Sequence, residues 1–364
     1  MTIFELLKHP IFNLSSVEQS TKYERIFIDV IDDYLDLLEK LDDFELEQPH
    51  EHKASAKKIS NVAYQLSKGI INTLKTFYNG MPHEAFYDFK ALLDNSNLIY
   101  NAERLYDGKD FYRARIADSN THFTPNELFH IPFHLKNKIE TQRYSILGFP
   151  SLYLSDSVYT CWTELDKPAL DNMHISRFKL KAKPYQILQI PYPQEVIEKH
   201  VPFGVKSGSV NPEITSLLMN FPLYLACSIG AKNPNDPFKV EYVIPQMLLQ
   251  YVRQNKDIQG IKYFTTHINR ENKQIKGTFN NYVFPILSAS TEGYCTELGA
   301  MFEMTDPTLA SSLLNPVNPL NSVIRASISA NIQQINDNVP YSATEFGIIE
   351  NELSYKTIKP LNFE

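Results

Sequence analysis

The hydrophobic spacing of this chain changes near Asp107-Gly108, and that change limits the folds open to it. From Thr21 to Leu41 the apolar residues Ile26, Val30, Tyr34, Leu37, Leu38 and Leu41 recur every three or four positions. Such spacing predicts one helix face, with Asp32, Asp33, Asp36 and Glu39 on the others. Ser55 reads as the N-cap of a second helix carrying Ile59, Val62, Leu66, Ile70, Leu74 and Phe77 and ending at Asn79-Gly80. A third, shorter helix follows Pro82 with Phe86, Phe89, Leu92 and Leu93. From Phe111 onward the texture is short apolar runs broken by proline, glycine and asparagine, which predicts strands and turns. The strand candidates are FYRARI, SLYLS, ISRFKLKA, YQILQIP, IKYFTTHI and NYVFPILSA. Helical stretches within Pro212 to Ile229 and in EYVIPQMLLQYVRQN interrupt them. The expectation is an α+β protein: a helical bundle over residues 1–104, a mixed β domain with flanking helices over 105–310, and an extension over 311–364 wrapping its surface.

At 364 residues the chain is long enough for about two or three domains. Lys and Arg number 35 against 42 Asp and Glu, and a net charge of −7 argues against nucleic-acid binding through bulk charge. The opening MTIFELLKHP has no basic region followed by an apolar run, and no stretch of about 18 apolar residues occurs anywhere. Neither a leader nor a membrane span is therefore expected. Cys161, Cys227 and Cys295 lie far apart, which fits a reduced, cytoplasmic location without a disulfide frame or thiolate zinc site.

Several motifs of catalysis are absent: G-x-G-x-x-G, G-x-x-x-x-G-K-[ST], G-x-S-x-G and H-E-x-x-H. His130 and His134 have helical metal-ligand spacing, but Pro132 between them interrupts a helix, so they read as histidines holding a loop and no metal is expected. Arg25 has no histidine within the next turn or two of its helix, so the bundle reads as scaffold or partner surface.

What remains is RYSILGFPSLYLSDSVYTCWTEL, Arg143 to Leu165, in which Arg143 precedes the SLYLS strand and Glu164 follows it. Read singly, Arg143 and Glu164 make an ion pair between a loop and a helix. Tyr153 on its own is a core aromatic, and Trp162 a core or helix anchor. The order of elements, however, resembles the RES-domain family, named for its arginine, glutamate and serine. Arg143-Tyr144, Gly148, Pro150, Leu152-Tyr153-Leu154-Ser155 and Glu164 follow that family's pattern. FYRAR, with Arg113, looks like its opening strand, and GIKYFTT and NNYVFP fall where its later segments lie, so the resemblance covers about residues 110 to 305. Thr265 stands at the family serine, a departure that keeps the hydroxyl and adds a methyl.

The resemblance implies an ADP-ribosyltransferase-like fold and cleavage of the N-glycosidic bond of NAD, by hydrolysis or phosphorolysis. It also implies toxins that pair with a helix-turn-helix antitoxin, and it makes a homodimer an expectation. NAD is then the substrate, with no further cofactor. Nicotinamide leaves as a neutral base from a cationic pyridinium, so no acid is needed and one carboxylate suffices at the oxocarbenium-like ribose. Glu164 takes that role. Arg113 and Arg143 are expected on the pyrophosphate, where a planar guanidinium fits best. Tyr153 is expected against the nicotinamide and Thr265 on the ribose or amide. Two other readings stay open: transfer of ADP-ribose to a macromolecule, and nucleotide binding without turnover.

Overall fold

The computed structural model describes residues 1–14, 23–46, 53–95, 102–181, 184–207, 209–233, 235–268, 275–314, 332–336 and 339–363. It divides into two compact units. One joins Met1–Ala102, Gln142–Tyr144 and Gln189–Tyr251, and the other Glu103–Thr141, Ser145–Leu188 and Val252–Glu364.

In the first unit the three expected helices form as Tyr23–Glu39, Ala56–Tyr78 and Pro82–Asn95. The Ser55 hydroxyl accepts from the Lys58 N–H, and the second helix stops at Asn79 because Gly80 takes φ +80°, which glycine adopts without a Cβ clash. The bundle does not end at residue 104. Helix Pro212–Ser228, capped by the Asn211 side chain, is buried along almost its whole length and is apolar on every side, so it needs covering all round. Tyr34 and Tyr23 donate their hydroxyls to its Leu218 and Ala226 carbonyls at 2.6 and 3.0 Å, and Tyr34 packs on Phe221 with ring centroids 4.5 Å apart. The late segment thus completes the core that the N-terminal helices begin.

The second unit is α+β, built on a ten-stranded sheet. Its strands are β1 (Ala102–Leu105), β2 (Asp110–Ile116), β3 (Ser151–Ser155), β4 (Met173–Leu180) and β5 (Tyr185–Ile190). They continue with β6 (Gly260–Phe264), β7 (Asn280–Pro285), β8 (Phe302–Thr305), β9 (Thr308–Leu309) and β10 (Ile358–Pro360). The order across the sheet is β10-β8-β4-β2-β3-β7-β6-β5-β1, with β9 also on β4. All six strand candidates form, though β6 stops at Phe264, before Thr265.

Alternation sorts the strand residues onto two faces. Phe111, Leu152, Leu154, Phe178, Tyr282 and Phe284 share one core. Tyr112, Met173 and Ile175 belong to a second, into which Val158, Cys161, Ile349 and Leu353 also pack. Ile349 and Leu353 come from helix Glu345–Tyr355, four residues apart on one face. The C-terminal segment is therefore core and sheet edge as well as surface wrapping: β10 pairs antiparallel with β8, Met304 opposite Lys359. Residues 315–331 of the expected extension lie outside the described residues.

Candidate functional site

Glu164 ends the short helix Val158–Glu164, and both ends of that helix are tied down. At its start the Ser157 hydroxyl accepts from the Thr160 N–H at 3.0 Å. Glu350 Oε1, from helix Glu345–Tyr355, accepts from the Val158 N–H at 2.8 Å and from the Tyr341 hydroxyl at 2.5 Å. A buried carboxylate there also meets the positive end of the helix dipole. Just past Glu164, Asp166 and Lys167 both take left-handed backbone, φ 58° and 56°. The Lys167 N–H reaches back to the Trp162 carbonyl at 2.9 Å and the Asp166 N–H to Thr163 at 3.2 Å, a Schellman turn. Left-handed geometry costs non-glycine residues roughly 1 kcal/mol each, so surrounding contacts must hold it. Trp162 supplies one: its indole N–H donates to the Pro168 carbonyl at 2.8 Å, and its ring lies 5.0 Å from that of Phe346.

The carboxylate itself is oriented from the sheet. Asn281, the second residue of β7 and opposite Ser155 of β3, donates its amide to Glu164 Oε1 at 2.7 Å. The Ser155 hydroxyl donates to Asn281 Oδ1, also at 2.7 Å, so the amide must present its NH2 to Glu164. The neighbouring Asn280 is fixed the same way, its N–H and amide both donating to buried Asp156. Burial raises the Asp156 carboxyl above its usual range, against the Asn280 bonds, which lower it. The second Glu164 oxygen lies 3.8 Å from His267 Nε2, and His267 Nδ1 is 3.9 Å from Asp166. The imidazole is half-exposed and the Glu164 side chain partly exposed.

Tyr153 and Arg113 belong to strands of the same sheet as Asn281. Between β2 and β3 the registered pair is Tyr112 with Ser155. Further along, the Tyr153 carbonyl takes a hydrogen bond from Arg113 Nη1 at 2.8 Å. Arg113 Nε is buried with no hydrogen-bond partner. Burial, with Arg115 adding to it, brings the guanidinium down to about 10, which leaves it charged at neutral pH. Burial likewise raises the Tyr153 phenol, which stays neutral. The Cys161 thiol is pushed up to about 12 by burial, so it is no nucleophile.

The other expected residues fall differently. Arg143 belongs to the helical unit, where its Nη1 donates to the Cys227 and Ile229 carbonyls at 3.0 and 2.9 Å and its guanidinium lies 5.2 Å from the Tyr242 ring centroid. It serves the C-terminal carbonyls of helix Pro212–Ser228, a favourable place for a cation. Thr265 is buried, and its hydroxyl accepts the His267 N–H at 3.1 Å, a contact that shapes the loop carrying His267. His130 and His134 do not share a helix. His130 is buried and accepts from the Cys295 N–H at 2.8 Å through Nε2, while Nδ1 lies 2.7 Å from the Ile131 carbonyl, which fixes the Nδ1–H tautomer. Among the described residues no cluster of His, Cys, Asp or Glu is placed to hold a metal, and no helix is long and apolar enough to cross a membrane.

Asn281, Ser155 and His267 were not singled out by the sequence reading. The available signal was the Asn280-Asn281 pair opening a strand, where asparagine is a poor strand former. Comparison with known proteins gives one finding that bears on the site. A protein of Bacillus subtilis (strain 168), "Putative toxin YopC", is 32% identical over 266 residues, covering 69% of this chain and 58% of the relative. The chain therefore spans less than two thirds of that relative's length. No protein-family model matches, and no solved structure matches.

Proposed function

We propose that this chain is an NAD-consuming enzyme that breaks the bond between nicotinamide and ribose, and that this activity makes it a toxin, as its relative's name suggests. The observation that carries the reading is the Glu164 carboxylate, held through one oxygen by Asn281 and partly exposed beside His267. A fixed carboxylate stabilises positive charge developing on the ribose without having to reorganise. The C–N bonding pair leaves with nicotinamide, which becomes neutral. Water or phosphate then forms the new C–O bond, and water gives up its proton. Tyr153 offers a neutral ring to the nicotinamide, and Arg113 carries a charged guanidinium that suits a phosphate. Arg143 is engaged by the Cys227 and Ile229 carbonyls within the helical unit. The RES-domain resemblance adds an ADP-ribosyltransferase-like core and a helix-turn-helix protein that neutralises the toxin.

The test is nicotinamide release from NAD by the purified full chain, with and without phosphate, beside Glu164→Gln. Release by the wild type and its loss in the variant are expected. NAD left intact over hours in both buffers would sink hydrolysis and phosphorolysis together. Label from NAD appearing on protein or nucleic acid instead of free ADP-ribose would move the reading to transfer.

A further inference from the structure

A second concave site lies at the other end of the same strands. β6 and β7 are antiparallel, Asn281 opposite Tyr263 and Val283 opposite Ile261. Asn281, which holds Glu164, is at one end of this ladder, and Gly260 and Pro285 are at the other. Four residues separate Asn281 from Pro285, roughly 13 Å at about 3.3 Å per residue. There, next to the end of β4 and the start of β5, a cleft of about 980 Å3 opens within the sheet unit.

Its lining has two parts. Lys181, Arg253 and Lys256 bring three cations, against one lining carboxylate, Glu297. Lys181 is partly matched by Glu303 at 3.5 Å. Tyr185, Leu287 and Met301 supply an apolar wall. Arg253 is the informative member. Its Nη2 donates to the Leu287 carbonyl at 2.7 Å and its guanidinium lies 5.5 Å from the Phe149 ring centroid, so it is fixed in place. Yet its Nε is buried and has no acceptor. That nitrogen is covered by protein, so a ligand contact falls to the Nη groups, and Arg253 with Lys181 and Lys256 brings an excess of positive charge to the cleft wall.

We propose that this cleft binds a small phosphorylated molecule. Its phosphate oxygens meet Arg253 and Lys256, and its apolar portion packs on Tyr185, Leu287 and Met301. The site does not use Glu164 and stands whether or not NAD is the substrate.

The experiment is calorimetric titration of the full chain with ATP and, separately, with tripolyphosphate as the bare oxyanion. Four proteins are compared: wild type, Lys256→Gln, Arg253→Met and Glu164→Gln. ATP is expected to bind more tightly than tripolyphosphate, with about a tenfold loss of ATP affinity in Lys256→Gln, the typical worth of one charge-assisted contact. Arg253→Met should lose as much, and Glu164→Gln nothing. Lys256→Gln leaves the Leu287 and Phe149 contacts in place, so its result stands even if Arg253→Met folds poorly. The proposal is overturned by no heat from either probe at millimolar concentration, or by ATP binding that Lys256→Gln leaves unchanged. Loss of binding in Glu164→Gln would overturn it too, by placing ATP at the other end. Equal affinity for the two probes would remove the apolar half of the proposal.

Discussion

At one end of the β6–β7 ladder Asn280 and Asn281 are bound by Asp156, Ser155 and Glu164. At the other, Gln259 and Pro285 line a cleft together with Arg253, Lys181 and Lys256. The first end is saturated with internal hydrogen bonds that aim a carboxylate, as stabilising a short-lived charge requires. The second has a fixed cation beside two lysines, a set suited to capturing a stable anion. Four residue steps along one strand separate the two proposed tasks.

The most damaging change to this contrast is expected at Glu164 itself. Glu164→Gln keeps the shape and removes the charge, and nicotinamide release should fall about a hundredfold or more while the melting temperature stays within experimental error. A parallel loss of stability would mean that the carboxylate is structural. Asn281→Leu tests the aiming and not the charge. With the donor gone and Ser155 unpaired, kcat should fall about tenfold while the KM for NAD changes little.

Glu350 tests how far the saturated end extends. Replacing it by Ala strands the Val158 N–H and the Tyr341 hydroxyl in a buried setting, and the chain should lose about 3 kcal/mol in urea denaturation. Glu350→Gln keeps an acceptor and should lose clearly less. Equal losses would show that the charge at the helix N-terminus, not the acceptor, is what matters.

Much of this arrangement was legible in the sequence, for a physical reason that also marks the limit. The helices Tyr23–Glu39 and Ala56–Tyr78 announce themselves because apolar spacing, the Ser55 cap and Gly80 are local signals. Glu164, Tyr153 and Arg113 were proposed from their order along the chain, which the resemblance reads. The partner of Glu164 could not. Asn281 lies 117 residues away and arrives only through the register that sets it opposite Ser155. Arg143 shows the converse: it is close to Tyr153 in sequence, but its guanidinium serves the carbonyls of a helix some 85 positions on, at Cys227 and Ile229. Helix Glu345–Tyr355 and β10 were hidden because two core residues and a three-residue edge strand give little periodicity to read.

The open end has its own weak point, which pH should expose. His130 accepts the Cys295 N–H, and Cys295 precedes the Thr296–Gly299 turn of helix that brings Glu297 to the cleft. Burial pushes the His130 imidazole down to about 4, from an ordinary value of 6.5 in the unfolded chain. Above pH 6.5 both states are neutral there and stability does not respond to this group. As pH falls from 6.5 toward 4 the unfolded chain takes up a proton that the folded chain refuses, and about 3 kcal/mol is lost before the curve levels. His130→Gln should flatten that interval.

The smallest expected effect belongs to the turn behind Glu164. Asp166→Gly relieves a left-handed aspartate at the position where Schellman turns favour glycine, and should raise stability by about 1 kcal/mol. It also removes the carboxylate that shares His267 with Glu164. If Asp166 only terminates the helix, nicotinamide release will be unchanged in the stabilised variant. If it helps to place His267, release will fall although the fold has become more stable. Asp166→Asn separates the two, because it keeps the side-chain shape, tolerates the left-handed backbone and drops the charge.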